Sequence, residues 1–135
     1  MRYREHILAM LLLLFLVPPA PAAMGQDAAK AKEKLVAAVK AGDGTAIGTY
    51  LNDLCDLDVP GYRGTYSKAQ AGRIIRDFFG SHSVSSFRLI RQGTLAEQEQ
   101  YVMAEMQSGK TTWKIYFVVK EKDGKGVVPV FHINE

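Results

Sequence analysis

The segment from Tyr66 to Gly80 constrains the fold more than any other part of this sequence. It begins with a capping box, because Ser67 can accept a hydrogen bond from the Gln70 amide while the Gln70 side chain reaches back to Ser67. Gly80 follows the last apolar residue, at the position where a left-handed C-terminal cap favours glycine. The segment therefore predicts a helix with a defined start and a defined end.

One face of this predicted helix is apolar. Its apolar residues recur at helical spacing, and they are Ala71, Ile74, Ile75, Phe78 and Phe79. Each of the two phenylalanines contributes about 1.5–3 kcal/mol when its ring is buried. The helix therefore needs a partner surface, which the chain after Gly80 supplies.

That C-terminal part predicts four β-strands in antiparallel hairpins. Thr111–Lys120 is the strongest of them, and Asp123-Gly124 is a dipeptide typical of hairpin turns. Pro129 has no N–H to donate, so its strand should have an edge or a bulge there. The side chains expected to face the helices are Phe87, Leu89, Trp113, Ile115, Phe117, Val119, Phe131 and Ile133. The side chains expected on the outer sheet face are Tyr101, Met103, Tyr116 and Val118.

The chain before Tyr66 predicts two helices, a strand and a loop. The helices are Asp27–Ala41, with Asp27 as its N-cap, and Thr45–Leu51, capped by Asp43 or Thr45. The strand is Leu54–Val59, and Tyr62–Thr65 is a glycine-bearing loop. Helices followed by a run of strands predict an α+β fold, with the N-terminal helices packed on one face of an antiparallel sheet.

Residues 1–25 predict a secretory signal peptide, with a basic start, an apolar run over Ile7–Val17 and a small-residue end. Cleavage could follow Ala22 or Gly25, which leaves one domain over residues 26–135. We therefore expect a periplasmic or secreted protein without a membrane span after cleavage. The formal net charge of +3 comes from scattered residues, which does not indicate a nucleic-acid partner. Cys55, the single cysteine, can form no disulfide within the chain and should be buried.

Three segments resemble a known family: TYSKAQA followed by FF, then FRLIRQG, then TTWKIYFVVK. They look like the family catalogued as domain of unknown function 4783, whose members are small exported bacterial proteins. The resemblance covers about Leu35–Glu135. It implies a nuclear transport factor 2-like (cystatin-like) cone, in which a curved sheet wraps on helices. Proteins with that fold include isomerases, dehydratases, carriers and dimerisation modules, so the resemblance implies no particular activity.

The sequence contains no convincing catalytic or metal-binding set. Asp56, Asp58 and His132 alternate with apolar residues, so their side chains should point away from the core. No histidine has a second ligand at metal-binding spacing, and there is no glycine-rich phosphate loop. We therefore expect no catalytic residue, no metal and no cofactor. The residues that could line a ligand pocket at the mouth of the cone are Tyr50, Tyr62, Tyr66 and Trp113.

Three functional hypotheses follow. The favoured one is a noncatalytic ligand-binding or protein-interaction module, which could form a homodimer through the outer sheet face. The second is a small-molecule enzyme of the isomerase or dehydratase type, which would need an Asp, Glu or His pointing into the cone. The third is a carrier for a small hydrophobic ligand.

Overall fold

The computed structural model describes residues 26–96 and 98–135. The predicted signal peptide therefore lies outside the described residues. The helices are α1 (Gln26–Ala41), α2 (Gly44–Thr49) and α3 (Lys68–Ser81). The strands are β1 (Leu51–Val59), β2 (Tyr62–Ser67), β3 (Ser86–Ala96), β4 (Glu99–Ser108), β5 (Thr111–Lys122) and β6 (Lys125–Asn134).

The strands form one sheet in the order β2-β1-β6-β5-β4-β3. All neighbouring pairs are antiparallel except β1 and β6, which run parallel. The fold is thus α+β, as predicted, but the expectation of a wholly antiparallel sheet is wrong. The parallel pair arises because the last strand inserts between the first strand and the β3–β5 meander, a long-range pairing that no local pattern records.

The helices cover one face of the sheet. Helix α3 packs on β1 and β2, and α1 packs on β6 and β5. The apolar face predicted for α3 is buried over its whole length, which confirms the five residues named from the sequence. On α1 the buried residues are Ala28, Ala31, Leu35, Ala38 and Val39, whereas Val36 is only partly buried.

Helix α3 begins as predicted and ends differently. The Gln70 amide donates to Ser67 Oγ at 3.2 Å, and the Ser67 amide donates to Gln70 Oε1 at 3.3 Å, so the capping box is confirmed. Gly80 lies inside the helix and is no left-handed cap. The chain leaves the helix at His82, whose Nδ1 lies 2.8 Å from the Phe78 carbonyl oxygen.

The other helix ends also differ in detail. Helix α1 starts at Gln26, so Asp27 lies in its first turn and is not the N-cap. Gly42 has a positive φ of 67° where the chain turns between α1 and α2. Asp43 caps α2, because its Oδ1 accepts a hydrogen bond from the Ala46 amide at 3.0 Å. Of the two caps considered from the sequence, Asp43 is therefore the one used.

Residues 62–65, predicted as a loop, belong to strand β2. They pair with β1, with Tyr62 opposite Val59 and Gly64 opposite Leu57. Gly64 has a φ of 145°, a backbone conformation that residues with a side chain rarely adopt. A glycine at this position therefore allows the backbone conformation that β2 has here. The loop prediction was wrong because the hairpin partner, not local propensity, makes this segment extended.

Two predictions concern positions within the later strands. Pro129 lies in the central strand β6, which pairs with β1 on one side and β5 on the other. The pairing with β1 changes register between Val128 and Val130, and the pairing with β5 changes register between Val127 and Val130. The bulge predicted from Pro129 is confirmed. Leu89 is 40 % exposed, so its predicted contact with α3 is wrong. It lies on the edge strand β3, beyond the area that the helices cover.

Candidate functional site

An aromatic cluster joins the C-terminal end of α3 to the sheet. Phe78 meets Trp113 edge-to-face with ring centroids 5.1 Å apart, and it stacks on His82 at 4.2 Å. Phe79 lies edge-on to Phe78 at 5.3 Å. His82 follows Phe78 by four residues, a spacing that places both rings on the same side of the last turn of α3.

Trp113 also lines a surface cleft with Tyr62. The cleft has a volume of about 440 Å³, and its wall includes Asp58, Arg63 and Glu135. Trp113 is 6 % exposed, and its Nε1 is buried with no hydrogen-bond partner among the described residues. The Asp58 carboxylate lies 3.1 Å from the Arg63 guanidinium, and this ion pair raises the pKa of Arg63 above its ordinary value. The cleft thus has both aromatic and charged walls.

The other two tyrosines of the expected pocket lie elsewhere. Tyr66 is partly buried against the core, with its ring 6.5 Å from that of Tyr62. Tyr50 ends α2 and lines a different cleft between α1, α2 and the start of β6. The structure therefore brings Tyr62 and Trp113 together and places Tyr50 at a second location.

The interior of the cone is apolar among the described residues. No Asp, Glu, His, Lys or Arg within residues 26–96 and 98–135 is buried. Leu35, Ile47, Ile75, Phe117 and Phe131 fill the space between helices and sheet and are at most 1 % exposed. The carboxylate or histidine that an isomerase-like site would need inside the cone is thus not found in this part of the chain. The described residues also contain no group of three or more His, Cys, Asp or Glu side chains that could hold a metal ion.

Cys55 is buried on the helix-facing side of β1, as predicted. Burial, with a smaller contribution from the Asp56 charge, raises the pKa of its thiol from 9.0 to about 12. Because the thiolate is the reactive form, the folded protein keeps this cysteine unreactive at neutral pH.

The outer sheet face carries a mixed aromatic and apolar surface, which we call the outer patch. It consists of Tyr101, Met103, Tyr116, Val118, Val130 and His132. Met103 is 41 % exposed, whereas its neighbours Tyr101 and Tyr116 are partly buried, with ring centroids 6.3 Å apart. Val118 is 5 % exposed although none of the described helices covers this face, so the predicted outer set packs against itself.

One row of paired residues crosses this face from β1 to β3. Its members, each opposite the next, are Asp58, His132, Tyr116, Met103 and Arg91. Tyr116 on β5 lies midway between the acidic Asp58 and the basic Arg91, and Asp58 is already ion-paired with Arg63, which lies opposite it on β2. A second acid on β1, Asp56, lies 3.4 Å from His132 Nε2. No local sequence pattern indicates this arrangement, because the position of β1 beside β6 depends on the long-range parallel pairing.

Helices on one side of a curved mixed sheet, in this strand order, define a nuclear transport factor 2-like, or cystatin-like, fold. The sequence matches the family described as "Domain of unknown function (DUF4783)" over residues 32–134. The chain belongs to this family. Among curated proteins, none matches the sequence.

Solved structures agree with this assignment. A DUF4783 family protein from Bacteroides uniformis is similar with a TM-score of 0.70 and 22% identity, over 76% of this chain and 94% of that one. A protein with a cystatin-like fold from Silicibacter pomeroyi is similar with a TM-score of 0.59 and 16% identity, over 80% of this chain and 74% of that one. A candidate ketosteroid isomerase from Shewanella frigidimarina is similar with a TM-score of 0.60 and 11% identity, over 83% of this chain and 98% of that one. At these identities the likeness establishes the fold alone.

Within the described residues, none of the helices combines the length and the apolar character needed to cross a bilayer.

Proposed function

We propose that this protein is an exported, noncatalytic interaction module that forms a homodimer through the outer patch. The observation that carries the proposal is the row from Asp58 to Arg91, because its aromatic centre lies between a basic residue and an acidic residue that is itself paired with Arg63. The proposal of export rests on the N-terminal sequence, with its basic start and apolar run.

The geometry of the row favours a second copy of this chain as the partner. Strand β5 is the middle strand of the series β1-β6-β5-β4-β3, so Tyr116 lies midway between Asp58 and Arg91. Four strand spacings of about 4.8 Å separate β1 from β3, roughly 19 Å in all. A two-fold axis that runs parallel to β5, between the Tyr116 side chains of two copies, would therefore bring Asp58 of one copy opposite Arg91 of the other.

Face-to-face packing is favoured over pairing at the β3 edge of the sheet. Strand β3 is an edge strand with two breaks in its register, between Leu89 and Arg91 and between Thr94 and Ala96. Such bulges disturb the row of edge N–H and C=O groups and disfavour addition of another strand.

The apolar interior bears on the alternatives. An isomerase or dehydratase site would need an ionisable group facing the substrate, and the described part of the interior has none. A hydrophobic carrier would need an apolar cavity, whereas the cleft beside Tyr62 and Trp113 has Asp58, Arg63 and Glu135 in its wall. These observations support the interaction module over both alternatives.

Static light scattering of the purified protein, expressed from its full sequence, tests the proposal. At tens of micromolar we expect twice the mass of a single chain, and Tyr116→Glu should give a folded monomer because it places a charge at the centre of the interface. Tyr62→Glu is the matched control, because Tyr62 is 50% exposed and lies at the β1–β2 hairpin. A wild-type monomer at this concentration, or loss of the dimer in the control alone, would refute the proposal.

A further inference from the structure

A second cleft lies on the helix side of the sheet, opposite the outer patch. It has a volume of about 380 Å³ and is bounded by the first half of α1, the end of α2 and the start of β6. Four lysines line it: Lys30, Lys34, Lys68 and Lys125. Asp27 is the one acidic residue among the lining residues, so positive charge prevails in the cleft.

These lysines come from three elements, and none of them forms an ion pair within the described residues, although Asp53 and Asp123 line a neighbouring cleft with Lys68 and Lys125. Lys30 and Lys34 lie one turn apart on α1, Lys68 starts α3, and Lys125 starts β6. Within the part of the chain that the structure describes, none of the four ammonium groups lies within 4.0 Å of a carboxylate. Four like charges around one cleft repel one another, and a bound anion would relieve that repulsion.

The position of Lys68 is not explained by the stability of its own helix. Lys68 is the first residue of α3, where the positive end of the helix dipole disfavours a cation, and no acidic residue stands in that first turn. Its Nζ instead donates a hydrogen bond to the Thr49 carbonyl oxygen at 3.2 Å, which holds the ammonium at the cleft. This contact holds the Lys68 side chain against the end of α2, which forms part of the cleft wall.

Gly126 sets the shape of the cleft. A Cβ added at Gly126 would collide with the Ala31 side chain and lie 3.0 Å from Ala28 Cα. Helix α1 can therefore approach β6 closely only because residue 126 is glycine. This close approach fixes Lys30 and Lys34 relative to Lys125, so the spacing of the charges is built into the fold.

We propose that this lysine cleft binds a compact anion that carries two or more negative charges, such as a diphosphate or a polycarboxylate. A lysine ammonium acts as a point charge, so four of them favour multivalent anions without the planar geometry that arginine imposes. The volume is at the lower end of the range for small-molecule sites, which fits a ligand of this size. The ring of Tyr50 forms part of the wall beside the charges.

Isothermal titration calorimetry with inorganic pyrophosphate and with citrate tests this site in the purified protein at low ionic strength. We expect saturable binding to one site, weakened by added salt. The double variant Lys34→Gln/Lys68→Gln should bind at least about tenfold more weakly, because each charge-assisted hydrogen bond lost weakens binding by about that factor. Both side chains are exposed, so the fold should be unchanged, and the circular dichroism spectrum would verify this.

The matched control is Lys40→Gln/Lys110→Gln, which removes the same charge from exposed positions outside the cleft. Equal weakening in both double variants would mean that the ligand responds only to net charge, and this would overturn the proposal. The absence of saturable binding to either anion at millimolar concentration would also overturn it. Binding to anionic vesicles without binding to pyrophosphate or citrate would do the same, because a lipid surface would then be the ligand.

Discussion

Truncation of Phe78 is the most informative perturbation of the fold. Phe78 is 7 % exposed and contacts three rings, stacking on His82 and meeting Phe79 and Trp113 edge-to-face. Phe78→Ala should lower the free energy of unfolding by about 3–5 kcal/mol, the range for emptying a buried aromatic site. The upper half of this range applies here because aromatic pairs add about 0.5–1.5 kcal/mol each beyond their buried area.

A loss of about 4 kcal/mol corresponds to a melting temperature lower by about 15 °C or more in a domain of this size. Urea unfolding followed by tryptophan fluorescence measures the effect directly, because Trp113 is the only tryptophan of the chain and touches the mutated ring. Arg73→Ala serves as the control, since Arg73 is exposed on the same helix. Surface changes of that kind alter stability by about 0.5 kcal/mol or less.

A loss below about 1 kcal/mol in Phe78→Ala would refute the packing described for α3, because no buried phenylalanine in a close-packed core is removed at so low a cost. A fluorescence maximum of the native wild-type protein typical of water-exposed indole would refute it as well. The buried Trp113 should instead emit at shorter wavelength in the native state and shift on unfolding.

The further predictions concern four single positions. Ser67→Ala should cost about 0.5–2 kcal/mol in chemical unfolding through the lost capping box, and no change would contradict that contact. Gly44→Ala should destabilise by about 1–3 kcal/mol, since its Cβ would lie 2.6 Å from Arg76 Cα. Gly80→Ala, with open space around it inside α3, should instead stabilise by up to about 1 kcal/mol, and the same sign in both would count against the α2–α3 contact. Cys55 should react with a thiol reagent at pH 8 only when the chain unfolds, and fast labelling of the native protein would contradict its burial. The thiol loses its proton near pH 9.0 when unfolded and near pH 12 when folded, so unfolding releases a proton between these values and the free energy of unfolding should fall as the pH rises above 9.0.

Local signals predicted the helices and most strands of this protein. The capping box at Ser67 and the apolar face through Phe79 fixed α3, because both depend on residues within four positions of each other. The end of α3 was missed because the imidazole of His82, and not Gly80, meets the last turn. Strand β2 was missed because its extended form depends on β1.

The candidate surfaces were less accessible to sequence reasoning. The alternation of Tyr116 and Met103 with core residues did predict an outer apolar face, since strand periodicity is local. The positions of Asp58 and Arg91 on either side of Tyr116 were not predicted, because they depend on which strands lie on either side of β5. The lysine cleft was also missed, since Lys68 and Lys125 are distant in sequence and meet only through the parallel pairing of β1 with β6.

The proposed two-fold axis parallel to β5 can be tested by one cross-linking measurement. In Tyr116→Cys the new thiols of two copies would face each other across the axis, while the buried Cys55 stays unreactive. Sheets that pack face to face lie about 10 Å apart, which is farther than a disulfide reaches, so a short bismaleimide reagent is used as the cross-linker. We predict a cross-linked dimer that forms much faster than in the control Tyr62→Cys. Equal rates in the two variants, or no cross-linked dimer from Tyr116→Cys, would contradict association through the outer patch.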